Sequence, residues 1–166
     1  MIKLILDIGC GATPRGEINI DPFPFDRKQC WKKRDPKTIP KFIFADAEAL
    51  PFRDKIFDTA LCIHTLEHLK YPLKALKEMN RTVKKKIIIK VPSQFNINKT
   101  ETHLYTWNPE TLKNLLNTTF KNVQTDYASK INFLNKNYII IKFLPFLNSF
   151  LPKIGLYPEI CANIIL

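Results

Sequence analysis

The chain has 166 residues, 45% of them hydrophobic and 25% charged, with 26 Lys and Arg against 15 Asp and Glu for a formal net charge of +11. That length suits one domain with one substantial core, and that hydrophobic share excludes a disordered chain. The four cysteines, Cys10, Cys30, Cys62 and Cys161, form no C-x-x-C pair, which argues against a zinc ribbon or a dithiol redox site. With no signal peptide in view they read as free thiols in a reducing cytoplasm. The basic excess fits nucleic acid, an anionic membrane surface or an anionic substrate, and equally well a Lys-, Asn- and Ile-rich composition of the kind an AT-rich genome gives. Its densest run, Arg27 to Lys37, reads as a solvated loop.

In chain order, residues 2–8, IKLILDI, are apolar and branched and end in Gly9-Cys10-Gly11, a buried strand followed by a tight glycine turn. Short strands are predicted at 17–21 (EINID), 42–46 (FIFAD), 58–65 (DTALCIHT) and 86–92 (KIIIKVP). Between the last two, Leu69, Leu73, Leu76, Met79 and Val83 recur at three- or four-residue steps and predict a helix. A second helix is predicted over 109–119, with Asn108 as N-cap, Pro109 in the first turn and Leu112, Leu115 and Leu116 on one face. Two further strands follow at 122–128 and 159–166. Strands alternating with helices predict a largely parallel α/β sheet in a single domain, 1–166. Residues 131–157 are very apolar but carry Lys142, Pro145, Asn148 and Pro152, which interrupt any membrane span. They read as a packed insertion, with a substrate lid or an interfacial segment as alternatives.

A glycine turn after a first strand lets backbone approach a nucleotide-like ligand. The dinucleotide fingerprint fits poorly: the pattern here is Gly9-x-Gly11-x-x-x-x-Gly16, Asp21 follows Gly11 too soon, and Pro14 discourages a helix in the gap. No Walker Gly-Lys-Ser/Thr is present either. The stretch LDIGCG instead resembles the first motif of the class I S-adenosylmethionine-dependent methyltransferases, and the resemblance continues in order. Asp21 closes the second strand. ADAEALPFRDKIFD (45–58) is similar to the family's D-A-x-x-L-P-F…F-D stretch, LEHLKYPLKALKEMNRTVK to its L-E-H-x-x-D-P-x-x-A-L-x-E-x-x-R-V-L-K stretch, and HLYTWNPETLKNLL to a later H-x-x-x-x-x-P-E-x-L-x-x-L-L segment.

The resemblance implies a Rossmann-like methyltransferase three-layer sandwich: a mostly parallel seven-stranded sheet with an antiparallel last strand. It implies S-adenosylmethionine as cofactor. Asp21 would take the ribose hydroxyls, and Asp46, with Ala47 beside it, the adenine amino group. Asp7 would act near the methionine amino group, and Ile8, Gly9, Cys10 and Gly11 would pass close to the cofactor. Carboxylates suit such a ligand because they accept hydrogen bonds and offset positive charge. Two departures stand out. The first helix is reduced, with residues 9–16 left to bridge as an extended loop, and the family's Pro-Gly-Gly turn before the fifth strand is replaced by Lys84-Lys85-Lys86.

DNA-methylating members carry N/D-P-P-Y/F after the fourth strand, where this chain reads HTLEH. The resemblance is therefore closer to the branch that methylates O or N atoms of small molecules, lipids or saccharides. His64, at the fourth strand's end, is expected to face the cofactor. His64 and His103 are the candidate bases, and Glu67, His68, His103 and Tyr105 are the substrate-side candidates. His64-x-x-Glu67-His68 also matches the H-x-x-E-H zinc pattern of a metallopeptidase class, but a strand ending at His64 denies the continuous helix that pattern needs. Some quinone-pathway O-methyltransferases carry E-x-x-E-H here and bind a divalent ion. With His64 in place of the first Glu, no metal is expected. The competing class is an RNA- or membrane-binding module on the same fold. Nucleic acid is not the favoured partner, and the expected location is the cytoplasm, with peripheral membrane contact as a variant.

Overall fold

Short runs of branched apolar residues build the sheet. The computed structural model describes residues 3–22, 35–94, 101–128 and 159–166. Seven strands form one sheet: β1 (Ile5–Ile8), β2 (Ile18–Ile20), β3 (Phe42–Ile43), β4 (Phe57–Ile63), β5 (Val83–Pro92), β6 (Val123–Ala128) and β7 (Glu159–Ile165). Their spatial order is β3-β2-β1-β4-β5-β7-β6. Strands β1 to β5 pair in parallel, and β7 runs antiparallel to both β5 and β6. The fold is the expected Rossmann-like α/β arrangement. The chain order reverses between β1 and β4, and such a reversal opens a crevice at the strands' carboxyl ends. Alternate strand residues enter one continuous core, among them Leu6, Ile8, Ala60, Cys62, Ile87, Ile89, Ile160 and Ala162.

The boundaries differ from the sequence reading for local reasons. Strand β3 is two residues long because the chain then turns away, with Asp46 Oδ1 accepting the Glu48 N–H at 2.8 Å. Strand β4 stops at Ile63 because His64 adopts φ +53°, a left-handed conformation that ends extended pairing. Helix α1 (Pro72–Thr82) begins at Pro72, not Leu69, since proline's fixed φ suits a first helical position. Leu69 lies in the preceding loop and packs on the core from there. Leu73, expected on the buried face, is 37% exposed, and Ala75, Leu76 and Met79 form that face instead. Helix α1 passes directly into β5, the Val83 N–H still donating to the Met79 carbonyl. The missing Pro-Gly-Gly turn thus costs nothing, because there is no turn. Helix α2 (Pro109–Asn117) carries the expected cap: Asn108 accepts from the Thr111 N–H at 2.8 Å, and Thr111 Oγ1 accepts from the Asn108 N–H at 3.0 Å. Such a box stabilises a helix by about 1 kcal/mol.

The β1–β2 crossover is where the fold departs most from a βαβ unit. Residues 9–17 contain no helix, as the reduced first helix anticipates. Gly9 and Cys10 donate their N–H groups to the Ile20 carbonyl at 2.9 and 3.0 Å. Buried Asn19 accepts from the Gly16 N–H at 3.0 Å and donates to the carbonyls of Gly16 and Pro40 at 2.9 and 2.8 Å. A Cβ on Gly16 would meet three backbone atoms, the Ile18 carbonyl, the Asp7 nitrogen and the Ile5 carbonyl, at 2.7–2.9 Å. That close approach explains the third glycine of the motif.

A second clamp positions the segment after β3. Arg81 on α1 donates to the carbonyls of Leu50 and Phe52 at 3.0 and 2.7 Å and pairs with Asp54 at 2.8 Å and Glu78 at 2.6 Å. Glu78 in turn accepts the Leu50 N–H at 2.9 Å. The apolar 131–157 stretch and most of the Arg27–Lys37 run lie outside the described residues. Among the described residues, no helix is long and apolar enough to cross a membrane.

Candidate cofactor cavity

The carboxyl ends of β1, β2, β3 and β4 surround a cavity of about 260 Å³. One wall is the glycine turn after β1, with Gly9 and Gly11. Opposite it stand Ile20, Asp21 and Pro22 at the end of β2, and Ala45 to Glu48 after β3. The loop after β4 closes it with His64, Thr65, His68, Leu69 and Lys70. Gly9 and Gly11 have φ of +67° and +51°, the left-handed region that favours glycine. Thr65 Oγ1 donates to the Ile8 carbonyl at 3.1 Å, locking the threonine over Gly9. The Gly11 N–H donates to Asp21 Oδ2 at 3.0 Å. Asp21 is 9% exposed, so the turn itself aims this carboxylate at the cavity.

The acid at position 7 sits differently. Asp7 is fully buried and does not line the cavity. Its Oδ2 accepts the Arg15 N–H at 2.8 Å, with the Arg15 guanidinium 4.0 Å away, and its Oδ1 has no hydrogen-bond partner among the described residues. Burial pushes this carboxyl up from 3.8 to about 6, against the lowering effect of Arg15's N–H and charge and with a small push from Asp21. A carboxyl raised in the folded state stabilises fully below its unfolded pKa and loses that contribution as pH rises through the folded one. The stability of the parent minus that of Asp7→Asn should therefore fall by about 3 kcal/mol between pH 4 and pH 7. Urea unfolding of both proteins across that range reads the difference. A flat difference would mean that Asp7 is solvated.

His64 lies between two carboxylates. Its Nε2 is 3.2 Å from Glu159 Oε1 on β7 and its Nδ1 is 3.6 Å from Glu67 Oε1. The bond to Glu159 and then the contact with Glu67 raise its pKa from 6.5 to about 9. At that value His64 carries its proton at neutral pH, whereas a general base starts without one. His103 goes the other way: burial lowers its pKa, partly offset by the Glu67 carboxylate. It lies behind His68 and does not line the cavity, their rings meeting edge to face at 4.8 Å. Tyr105 also stands off the cavity, its hydroxyl donating to the Lys70 carbonyl at 3.2 Å. Glu67 is fully buried in a 3-10 turn at Leu66–His68. His64 and His68 share no helix, so the H-x-x-E-H pattern lacks a peptidase's geometry.

A family model described as a methyltransferase domain matches residues 6–89, half of the chain. The chain belongs to this methyltransferase family. The matched span contains the glycine turn, both cavity acids and the loop after β4, and the family's cofactor is S-adenosylmethionine. The chain is 34% identical over 106 residues to an uncharacterized protein of Methanocaldococcus jannaschii, covering 59% of this chain and 44% of that protein. It thus spans less than half the length of that curated relative. Solved structures share the fold. A SAM-dependent methyltransferase of Archaeoglobus fulgidus superposes with a TM-score of 0.66 at 19% identity, covering 99% of this chain and 86% of that one. For a SAM-dependent methyltransferase of Thermotoga maritima the values are 0.63, 18%, 99% and 83%. Phosphoethanolamine N-methyltransferase 2 of Haemonchus contortus, in complex with S-adenosyl-L-methionine, gives 0.60 and 13%, with 99% of this chain covering 49% of that one.

Of the residues expected around the cofactor, the fold brings Gly9, Gly11, Asp21, Asp46, Ala47 and His64 to the cavity. Ile8 and Cys10 are buried behind it with Asp7. Of the substrate-side set, only His68 reaches the lining. Thr65, Leu69, Lys70, Ile20, Pro22, Ala45 and Glu48 line it without having been singled out. Ile20 and Pro22 flank Asp21, so neighbouring positions could have been included. Thr65 carried no local signal, because its place depends on β4 pairing with β1.

Proposed function

We propose that this chain transfers a methyl group from S-adenosylmethionine to an O or N atom of a small molecule, lipid or saccharide. The observation that carries the reading is the glycine turn facing two acids, Asp21 after β2 and Asp46 after β3, across one cavity. The donor set suits the cofactor: Asp21 for ribose hydroxyls, Asp46 and Ala47 for the adenine end, and the exposed backbone of Gly9 and Gly11 for close approach. When bound, S-adenosylmethionine supplies a methyl group on a positively charged sulfur. The chain's own work is to bind, orient and exclude water, since proximity supplies much of an in-line displacement.

His64 holds its proton between Glu67 and Glu159 at neutral pH, so an acceptor proton would not go to it in this state. The loop after β4 reads His64-Thr65-Leu66-Glu67-His68, which lacks the motif of the DNA amino-methylating branch and supports a non-nucleic acceptor. Work in the cytoplasm, with peripheral membrane contact for a lipid acceptor, belongs to the same reading. Transfer of labelled methyl into a fractionated host extract, separated into lipid, glycan, other small-molecule, RNA and protein pools, tests it. Label in the lipid, glycan or other small-molecule fraction is expected. Label confined to RNA or protein would overturn the acceptor class.

A further inference from the structure

Glu67 is the anomaly of the site. Its carboxylate is fully buried and neither oxygen has a hydrogen-bond partner among the described residues. A buried carboxylate that accepts no hydrogen bond costs several kcal/mol, and the His64 ring beside it offsets only part of that. The His64 ring, at 3.6 Å, is too far for a hydrogen bond and is engaged by Glu159. Two other imidazoles flank Glu67. One donor atom each from Glu67, His68 and His103 lies within 4.8 Å of the others. His68 Nε2 is 4.0 Å from Glu67 Oε1.

The surroundings prepare both imidazoles for ligation. His68 Nδ1 stands 3.1 Å from the Thr102 carbonyl. A carbonyl only accepts, so Nδ1 carries the hydrogen and Nε2 keeps its lone pair toward Glu67, the usual orienting contact of a metal-binding histidine. The loop bearing His103 is stitched to the 67–70 segment just after the histidine. The Leu104 N–H donates to the Glu67 carbonyl at 2.9 Å, and the Tyr105 hydroxyl to the Lys70 carbonyl at 3.2 Å.

We propose that Glu67, His68 and His103 form a binding site for a divalent transition-metal ion beside the cavity. Two imidazoles and one carboxylate suit zinc, iron or nickel rather than magnesium or calcium, which prefer oxygen donors. Donors around a tetrahedral zinc stand about 3.4 Å apart, so closure takes movements of about 1 Å. His103 is only partly buried and lies on a loop, where such movement is easy. Three protein ligands leave a coordination position open. His68 also lines the cavity, and on the methyl-transfer reading that position would hold an acceptor oxygen. The ligand set differs from H-x-x-E-H in using His103 from a separate loop, and it revises the expectation of no metal.

Calorimetric titration of the chelator-treated full chain with zinc chloride tests the site. One ion should bind per chain, and His68→Ala and His103→Ala should each weaken it by about ten-fold or more, while Cys161→Ser leaves it unchanged. His103→Ala alters an exposed loop, and an unchanged circular dichroism spectrum would show that it folds. No saturable binding, or binding that survives in His103→Ala, would overturn the proposal. S-adenosylmethionine titrated into the same preparation separates the two ideas. Cofactor binding without zinc binding sinks the metal site alone, and the reverse sinks the methyltransferase reading alone.

Discussion

Asp21→Ala should raise the dissociation constant for S-adenosylmethionine by roughly 100-fold or more. The carboxylate sits at the end of β2, lines the cavity and is fixed by the Gly11 N–H at 3.0 Å. A charged hydrogen bond contributes about 1.5–3 kcal/mol, and a ribose offers two hydroxyls, so the loss compounds to two or more decades. The alanine also releases the Gly11 N–H, loosening the turn that must approach the ligand. Asp21→Asn separates the two effects: it still accepts from Gly11 but has no charge, and should lose only about ten-fold. Calorimetry on the three proteins checks this. Equal affinities for parent and Asp21→Ala would place the ribose elsewhere.

Gly9→Ala should destabilise the fold by about 3 kcal/mol or more, a large part of the 5–15 kcal/mol that holds a typical domain together. The positive φ of +67° is a penalty for any L side chain. The larger penalty is steric. An added Cβ would overlap Thr65 Oγ1 and lie 2.5 Å from Thr65 Cγ2, and Thr65 cannot retreat without giving up its bond to the Ile8 carbonyl. Overpacking of this kind costs about 1–3 kcal/mol beyond the backbone strain. Thr65→Ala removes the two closest atoms, so the double variant Gly9→Ala with Thr65→Ala should recover part of the loss. Urea unfolding of the four proteins gives the coupling. Strict additivity would show that the two residues do not meet.

Much of the sheet was legible because its causes are local. Each strand is a short branched run with a turn residue at its end, and the five motifs fell in an order that one topology satisfies. The boundaries that moved did so through contacts with no local trace. Strand β5 starts three residues early because α1 feeds it without a turn. Strand β3 is cut short by the Asp46 turn. At the site, Gly9, Gly11, Asp21 and Asp46 were readable from their positions at strand ends. The charge state of His64 was not, since it depends on Glu159, 95 residues away. Nor was the approach of His103 to His68, which follows from the loop being stitched to residues 67–70. Asp7 was placed near the ligand by resemblance, whereas burial and the Arg15 N–H make it the anchor of the crossover. Arg81 belongs to a motif matched for its function, yet its contacts are structural: it holds the Leu50–Asp54 segment against α1.

The central claim is that the cavity between the glycine turn and Asp21 holds S-adenosylmethionine. Isothermal titration of the chain with that cofactor tests it most directly. Saturable binding of one molecule per chain, weakened in Asp21→Ala, is the predicted result. No heat of binding at millimolar ligand, from a protein shown to be folded, would contradict it.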